Sequence, residues 1–337
     1  MSEGGEARLP MALTSHGLPH VMGYLATRAG EKCPSPLGVR GLIAAAEELG
    51  LSGIEADLPA EETLPTEALR DLLAAHHQRL VVSYNTLRDD NLDQLRQRLR
   101  AAAALEASVV RVTLSNILCG DRRSLAEGWE ATLRAAARRL KEALPLAEEL
   151  GRCIAVENHQ DATSEDLLRL WEMVGYSPAF GVTLDTGNPL AVGEDPVKYA
   201  GRIAPLLRHL HLKDYTLHFA PNGYRLVRCA AGAGVVDFPA ILKIAAGNGW
   251  KAMLPGIEVG AQPTRTIPLL EPDWWACYPP VPTTRLVSAL RILWEKGRPA
   301  DEPYGSAWER GADSAAVAAE EWEVVRASAA YFHSLAA

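Results

Sequence analysis

The stretch CIAVENHQDATSEDLLRLWEMVGYSPAFGVTLD, residues 153–185, decides the fold. It opens on the apolar run Cys153–Glu157, which ends in a carboxylate. Thr163 and Asp166 then stand at the spacing of a capping box and start a helix to Val174. A second apolar run, Phe180–Asp185, again ends in a carboxylate. Strand, helix and strand over so short a span read as a βαβ unit with parallel strands.

The alternation extends in both directions. Upstream, strands are predicted at Met11–His16, Gly53–Asp57, Leu80–Asn85 and Val109–Ser115. Between them lies a helix at Leu37–Leu49, with Val39, Leu42, Ile43, Ala46 and Leu49 on one face and Gly50 as its stop. Further helices are predicted at Thr66–His76, at Asn91–Leu105, and at Trp129–Leu150, where Pro145 predicts a kink or break. Downstream, Asp195 and Pro196 start a helix with a first-turn proline, and Asp237 caps another to about Ala246. His209–Lys213 and Met253–Val259 are strands seven and eight. Eight such units predict an α/β fold, a (β/α)8 TIM barrel, whose working residues sit at the C-terminal strand ends. The expected organisation is a flexible N-terminus at 1–10, the barrel at 11–262, and a C-terminal extension at 263–337. That extension belongs to the same domain and carries a Trp-rich loop and a closing helix at Ser314–Leu335.

Composition narrows the function. The chain has 337 residues, 48% of them hydrophobic, enough for a large core. Its net charge of −8 and the lack of a basic stripe argue against a nucleic-acid partner. Cys33, Cys119, Cys153, Cys229 and Cys277 form no C-x-x-C pair, which reads as free thiols in a reducing compartment. The polar N-terminus lacks a secretory apolar region, and no later apolar run is long enough to span a bilayer. A cytoplasmic protein without membrane contact is expected.

Glu157, Asp185, His211 and Glu258 stand at or near the ends of four of the predicted strands. Such side chains are costly to bury unpaired. In neighbouring parallel strands they converge, and a divalent cation is the simplest object to hold them together. Side-chain alternation supports this. If Glu157 and Asp185 point inward, so do Cys153, Ala155, Gly181 and Thr183, while Ile154, Val156, Val182 and Leu184 face the helices. Arg111 shares the inward face of strand four and is expected to pair with a buried acid, Glu55 or Asp57.

The motifs Val156-Glu157-Asn158-His159, Leu184-Asp185-Thr186-Gly187-Asn188, His209-Leu210-His211-Leu212-Lys213-Asp214 and Gly256-Ile257-Glu258 resemble those of the xylose-isomerase-like TIM-barrel superfamily. The resemblance runs from about Met11 to Gly260, and the segment from Gly232 to Pro239 takes part in it. The superfamily includes sugar phosphate isomerases and epimerases, ketose 3-epimerases, inosose dehydratases and apurinic endonucleases. The resemblance implies that Glu157, Asp185, His211 and Glu258 bind one divalent cation. A carboxylate-rich shell with one imidazole suits Mn2+ first, with Mg2+, Co2+ and Zn2+ as alternatives. It further implies that Glu157 and Glu258 are the catalytic acid/base pair. Asp185 and His211 are then mainly structural ligands.

The implied activity is that of an isomerase or epimerase of a sugar or sugar derivative, working through a metal-bound enediolate. The alternative is a lyase on the same scaffold, a decarboxylase or dehydratase of a keto-sugar acid. A non-catalytic sugar-binding barrel and an apurinic endonuclease rank below these. Many relatives carry His three residues beyond the strand-six Asp, where this chain has Asn188. This departure weakens the endonuclease and epimerase readings. Substrate contacts are expected from His159, Asn188, Lys213 and Glu55. Lys213 has a salt bridge to Asp214 or Glu55 as its alternative, and His209 is expected to be structural. His16 and His20 are placed at the mouth. Trp274 and Trp275, with Tyr278, either stack on the sugar or pack against the barrel or a second subunit. The partner is a small carbohydrate or sugar acid, and assembly into a dimer or tetramer is left open.

Overall fold

The computed structural model describes residues 10–60, 63–249, 252–260 and 262–335. The N-terminal segment expected to be flexible thus lies outside the described residues, apart from Pro10. Eight parallel strands close into a barrel: β1 (Ala12–Thr14), β2 (Gly53–Ala56), β3 (Arg79–Thr86), β4 (Val109–Thr113), β5 (Cys153–Glu157), β6 (Phe180–Asp185), β7 (Leu207–Leu212) and, closing against β1, β10 (Gly256–Ile257). Helices α1 (Gly38–Glu48), α2 (Thr66–Ala75), α3 (Leu92–Ala104), α4 (Trp129–Glu149), α5 (Ser164–Met173), α6 (Pro196–Ile203) and α7 (Phe238–Gly247) alternate with the strands. The chain is a (β/α)8 barrel.

The strand register fixes which side chains share the interior. Glu55 pairs with Thr14 and Val81, Arg111 with Ser83 and Ala155, Glu157 with Thr183, and Asp185 with His211. The alternating residues, such as Ile54, Val110, Val112, Ile154, Val156, Val182 and Leu184, are fully buried under the helices. Burying each such aliphatic side chain contributes about 1.5–3 kcal/mol. One end of the interior is filled by a small apolar plug of Ala12, Val81, Val109, Ala155 and Leu254. Polar side chains fill the rest.

Several elements differ from the sequence reading, each for a local reason. β1 stops at Thr14 because its Oγ1 accepts a hydrogen bond from Gly17 N at 2.9 Å and turns the chain. A Cβ at Gly17 would stand 2.9 Å from the Ile257 carbonyl, so only glycine allows that turn. β10 is short because Pro255 has no N–H to pair; its carbonyl accepts instead from Ala12 N at 2.7 Å. α4 runs unbroken through Pro145, held by the buried Leu140, Ala143, Leu144 and Ala147 on either side of it. The sequence reading also omitted three strands and two helices. A three-stranded antiparallel sheet joins β8 (Asp214–Ala220) and β9 (Gly223–Cys229), directly after β7, to β11 (Arg265–Ile267), which follows β10. Within the extension, α8 (Pro272–Trp275) and α9 (Thr283–Lys296) precede α10 (Ser314–Leu335).

α10 packs onto the barrel beside β10. Its Glu321 is fully buried and accepts from His20 N, Val21 N and Gln262 Nε2. The Phe332 ring meets Phe238 of α7 edge-on at 4.9 Å. Among the described residues, no helix is long and apolar enough to cross a membrane.

A buried guanidinium ties the extension to the β4 and β5 loops. Arg122 lies between the rings of Trp129 and Tyr278, 4.0 Å from each centroid. It donates to the Asp161 carbonyl and to Asp166 Oδ2, the carboxylate that also completes the α5 capping box. Replacing Arg122 by Met leaves Asp166 buried without its cation. The variant is expected to lose about 3–5 kcal/mol of stability, read from thermal or denaturant unfolding; wild-type stability would show that the aromatic sandwich holds without the charge.

Candidate active site

The C-terminal ends of β5, β6, β7 and β10 bring four side chains together. A ligand atom from each of Glu157, Asp185, His211 and Glu258 lies within 4.8 Å of the other three. Glu157 and Asp185 are the last residues of their strands, and the β6–β7 register sets Asp185 beside His211. Gly256 pairs with His211, so Glu258, two residues on, stands level with Lys213, and its carboxylate meets the Lys213 ammonium. His211 Nδ1 stands 3.1 Å from Glu258 Oε2 and 3.5 Å from Glu157 Oε1.

Electrostatics in this cluster are tightly balanced. Burial opposes the charge on Glu157, but His211 and Arg111 outweigh it and hold the carboxyl well below its ordinary range. The same burial is overcome at Glu258 by His211 and Lys213, bringing it down to about 2. Asp185 goes the other way: burial, with Glu258 and Glu157 close by, pushes it up to about 6 against the pull of Lys213. Three carboxylates in one buried space repel and need positive charge. Lys213 provides one, its ammonium bonded to Asp185 Oδ2 and, at 2.9 Å, to Glu258 Oε1.

The residues fit a divalent cation on an observation of their own. Glu157 Oε1 and His211 Nδ1 are buried and have no hydrogen-bond partner. Buried polar atoms left in this state are rare in a folded interior unless something else binds them. Three carboxylates and an imidazole form a hard donor set.

A cavity of about 380 Å³ opens beside the cluster. Its lining includes Glu157 and Glu258 from the cluster and His16, Asp57, Tyr84, Thr86, Thr113, Asn116 and His159 around it. The cavity is lined mainly from β1–β5, whereas the acidic cluster gathers from β5, β6, β7 and the residue after β10. Burial holds the His16 and His159 imidazoles below their ordinary pKa, so both favour the neutral form. His159 Nδ1 is buried and unpartnered, and Asp57 pairs with Arg98 at 3.2 Å.

The other residues singled out in the sequence fall in distinct places. Lys213 belongs to the acidic cluster, bonded to Asp185 and Glu258 rather than to Asp214 or Glu55. Asn188 is buried, and neither polar atom of its amide has a partner. Arg111 does pair with Glu55, at 3.0 Å, and reaches Glu157 Oε2 at 3.4 Å. Glu55 lies beneath the cavity with both oxygens engaged, by Arg111 on one and by His209 and His211 on the other. His20 does not line the mouth: its ring nitrogens bond the Leu25 carbonyl and Ser314 Oγ, which ties it to α10. Trp274 and Trp275 also lie away from the cavity lining. Their indoles donate to the Cys119 and Leu269 carbonyls, and Trp274 is fully buried against Trp275 and Tyr278. Tyr84, Thr86, Thr113 and Asn116 were not singled out from the sequence. The inward parity of Thr113 on β4 was visible there, but the extension of β3 to Thr86 and the place of Asn116 on the loop after β4 were not.

A family model described as xylose isomerase-like TIM barrel matches residues 43–274. Among curated proteins, the chain is 25% identical over 224 residues to a 3-oxo-isoapionate decarboxylase of Pectobacterium atrosepticum, covering 64% of this chain and 75% of that protein. Among solved structures, a xylose isomerase-like TIM barrel protein from Mycobacterium smegmatis in complex with magnesium superposes with a TM-score of 0.57 at 18% identity, over 87% of this chain and 99% of that one. An L-ribulose 3-epimerase superposes with a TM-score of 0.56 at 14% identity, over 85% and 93%. At such identities the two structures speak to the fold.

Proposed function

We propose that this chain, which belongs to the xylose isomerase-like TIM barrel family, is a divalent-metal-dependent enzyme that moves a proton at the carbon beside a carbonyl of a sugar or sugar derivative, as an isomerase or epimerase. One observation carries the reading: Glu157 and Glu258 belong both to the ligand cluster and to the lining of the cavity. A substrate in that cavity would lie against two carboxylates that reach it from different strands.

The cation, held by Glu157, Asp185, His211 and Glu258, with Mn2+ as the favoured ion, would polarise the carbonyl and acidify the neighbouring C–H. The chain's own groups do the rest. One glutamate accepts the proton from carbon and the other returns a proton on the opposite face, a general acid–base exchange. Arg111, bonded to Glu55 and touching Glu157 Oε2, keeps Glu157 ionised and fixed in place. Lys213 neutralises Asp185 and Glu258, and its ammonium is the group that would donate to a substrate oxygen. His159, neutral and with Nδ1 unpartnered, can hydrogen-bond a hydroxyl. Asn188, with its amide unpaired, is assigned the same kind of contact.

A second reading has its own support, because the similarity to the decarboxylase from Pectobacterium atrosepticum spans 64% of this chain. Loss of CO2 beside a polarised carbonyl needs the same cluster, with one glutamate supplying the proton that replaces it. The two readings separate in a single experiment. Mn2+-loaded protein is incubated in D2O with a panel of ketoses and 3-oxo sugar acids and followed by NMR. Deuterium entering at the carbon beside the carbonyl, without CO2, is the expected result. CO2 release from the sugar acids would transfer the assignment to the lyase, and no exchange or release across the panel would count against both.

A further inference from the structure

We propose that Glu55 is a positioning residue for the metal centre: from beneath the cluster it fixes the imidazole of His211 so that Nδ1 is the nitrogen free to ligate. This inference rests on the metal-centre reading of Glu157, Asp185, His211 and Glu258.

Three contacts carry it. Glu55 Oε2 accepts from His211 Nε2 at 2.8 Å and from His209 Nε2 at 2.7 Å, and Oε1 accepts from Arg111 Nε at 3.0 Å. A carboxylate opposite a guanidinium offers only acceptors, so both imidazoles must present N–H at Nε2. His211 then has Nδ1 as its remaining nitrogen, the atom that faces Glu157 and Glu258 and has no hydrogen-bond partner. His209 holds the shared oxygen from the other side, its ring perpendicular to that of His211 at 5.2 Å. A carboxylate behind a ligating histidine is a common way of setting ring orientation and tautomer.

Two other roles for Glu55 fit less well. As a sugar contact it would need an oxygen to spare, but both are engaged and only 1% of the residue is exposed. Glu55, His209 and His211 also form a compact group of metal-ligating side chains. Here, however, the facing nitrogens and the oxygen are already joined by hydrogen bonds, leaving no open donor for an ion. The orphaned nitrogens, Nδ1 of His209 and of His211, are on the far sides of the rings.

The test needs the wild type and three variants. In metal-free wild-type protein labelled with 15N-histidine, His211 is expected to carry a proton on Nε2, assigned by its loss in His211→Gln. Finding Nε2 bare, with the proton on Nδ1 alone, would overturn the proposal even if no variant folds. In Glu55→Gln the amide oxygen is drawn to Arg111, which can only donate, and the NH2 group then faces His211 Nε2. That geometry moves the imidazole proton to Nδ1. Mn2+ affinity measured by calorimetry is expected to fall about 10–100-fold. Glu55→Asp keeps the charge but retracts it by one methylene, and is expected to lose less. Wild-type Mn2+ affinity in both folded variants would overturn the proposal. Should the wild type itself bind no Mn2+, the metal-centre reading fails, and the Nε2 proton still decides what Glu55 does to His211.

Discussion

Glu258→Gln is expected to lower turnover by about 10²–10⁴-fold, the usual contribution of a positioned general acid or base. The glutamine retains a carbonyl oxygen where Glu258 Oε2 faces His211, so Mn2+ binding should weaken without vanishing. Two things are lost. The carboxylate that lines the cavity can no longer take or return a proton, and Lys213 loses one of the two anions that hold its ammonium. Steady-state kinetics on the substrate that exchanges deuterium, run beside calorimetric Mn2+ titration, separates these effects. A variant that binds Mn2+ weakly but turns over normally at saturating metal would remove Glu258 from the chemistry.

Asp185→Ala should act earlier, on the site itself. Asp185 Oδ1 accepts from Gly187 N and Asn188 N at 3.1 and 3.2 Å, so the carboxylate also shapes the turn after β6. Its Oδ2 faces Lys213. Removing the side chain takes one ligand of four and leaves Lys213 closer to Glu258 alone, a cation beside the position where a cation is needed. Mn2+ content after dialysis is expected to drop to background and activity with it. Asp185→Asn keeps the two backbone hydrogen bonds and distinguishes loss of the ligand from collapse of the turn. Full activity of Asp185→Ala would contradict its assignment.

What the sequence made legible was whatever obeyed a local rule. β5 and β6 have the predicted boundaries because each is an unbroken apolar run closed by a carboxylate, and the Thr163–Asp166 capping box formed as spaced. Glu157, Asp185, His211 and Glu258 were expected to converge from their places at the ends of neighbouring parallel strands, and their ligand atoms do lie together. The β8–β9 hairpin was missed although its cue was present: Tyr215, Leu217 and Phe219 alternate before the turn-forming cluster Pro221-Asn222-Gly223, and Ala220 pairs with Gly223 across Pro221-Asn222. The regularity of the barrel pattern led past it to the next helix. Trp274 and Trp275 show a different limit. Aromatic residues after a barrel strand suit a lid and a core contact equally, and the choice depends on where Cys119, Gly120 and Arg122 lie, which no local pattern reveals. Glu55 illustrates the same point. Its inward parity was readable, but its three partners come from β4 and β7, more than fifty residues away.

Anomalous diffraction from crystals soaked in Mn2+ bears on the whole reading at once. A single peak enclosed by Glu157, Asp185, His211 and Glu258, with Nδ1 of His211 toward it, is the predicted result. Fully Mn2+-equilibrated crystals with no peak at those four side chains, or with the ion bound elsewhere in the barrel, would contradict it.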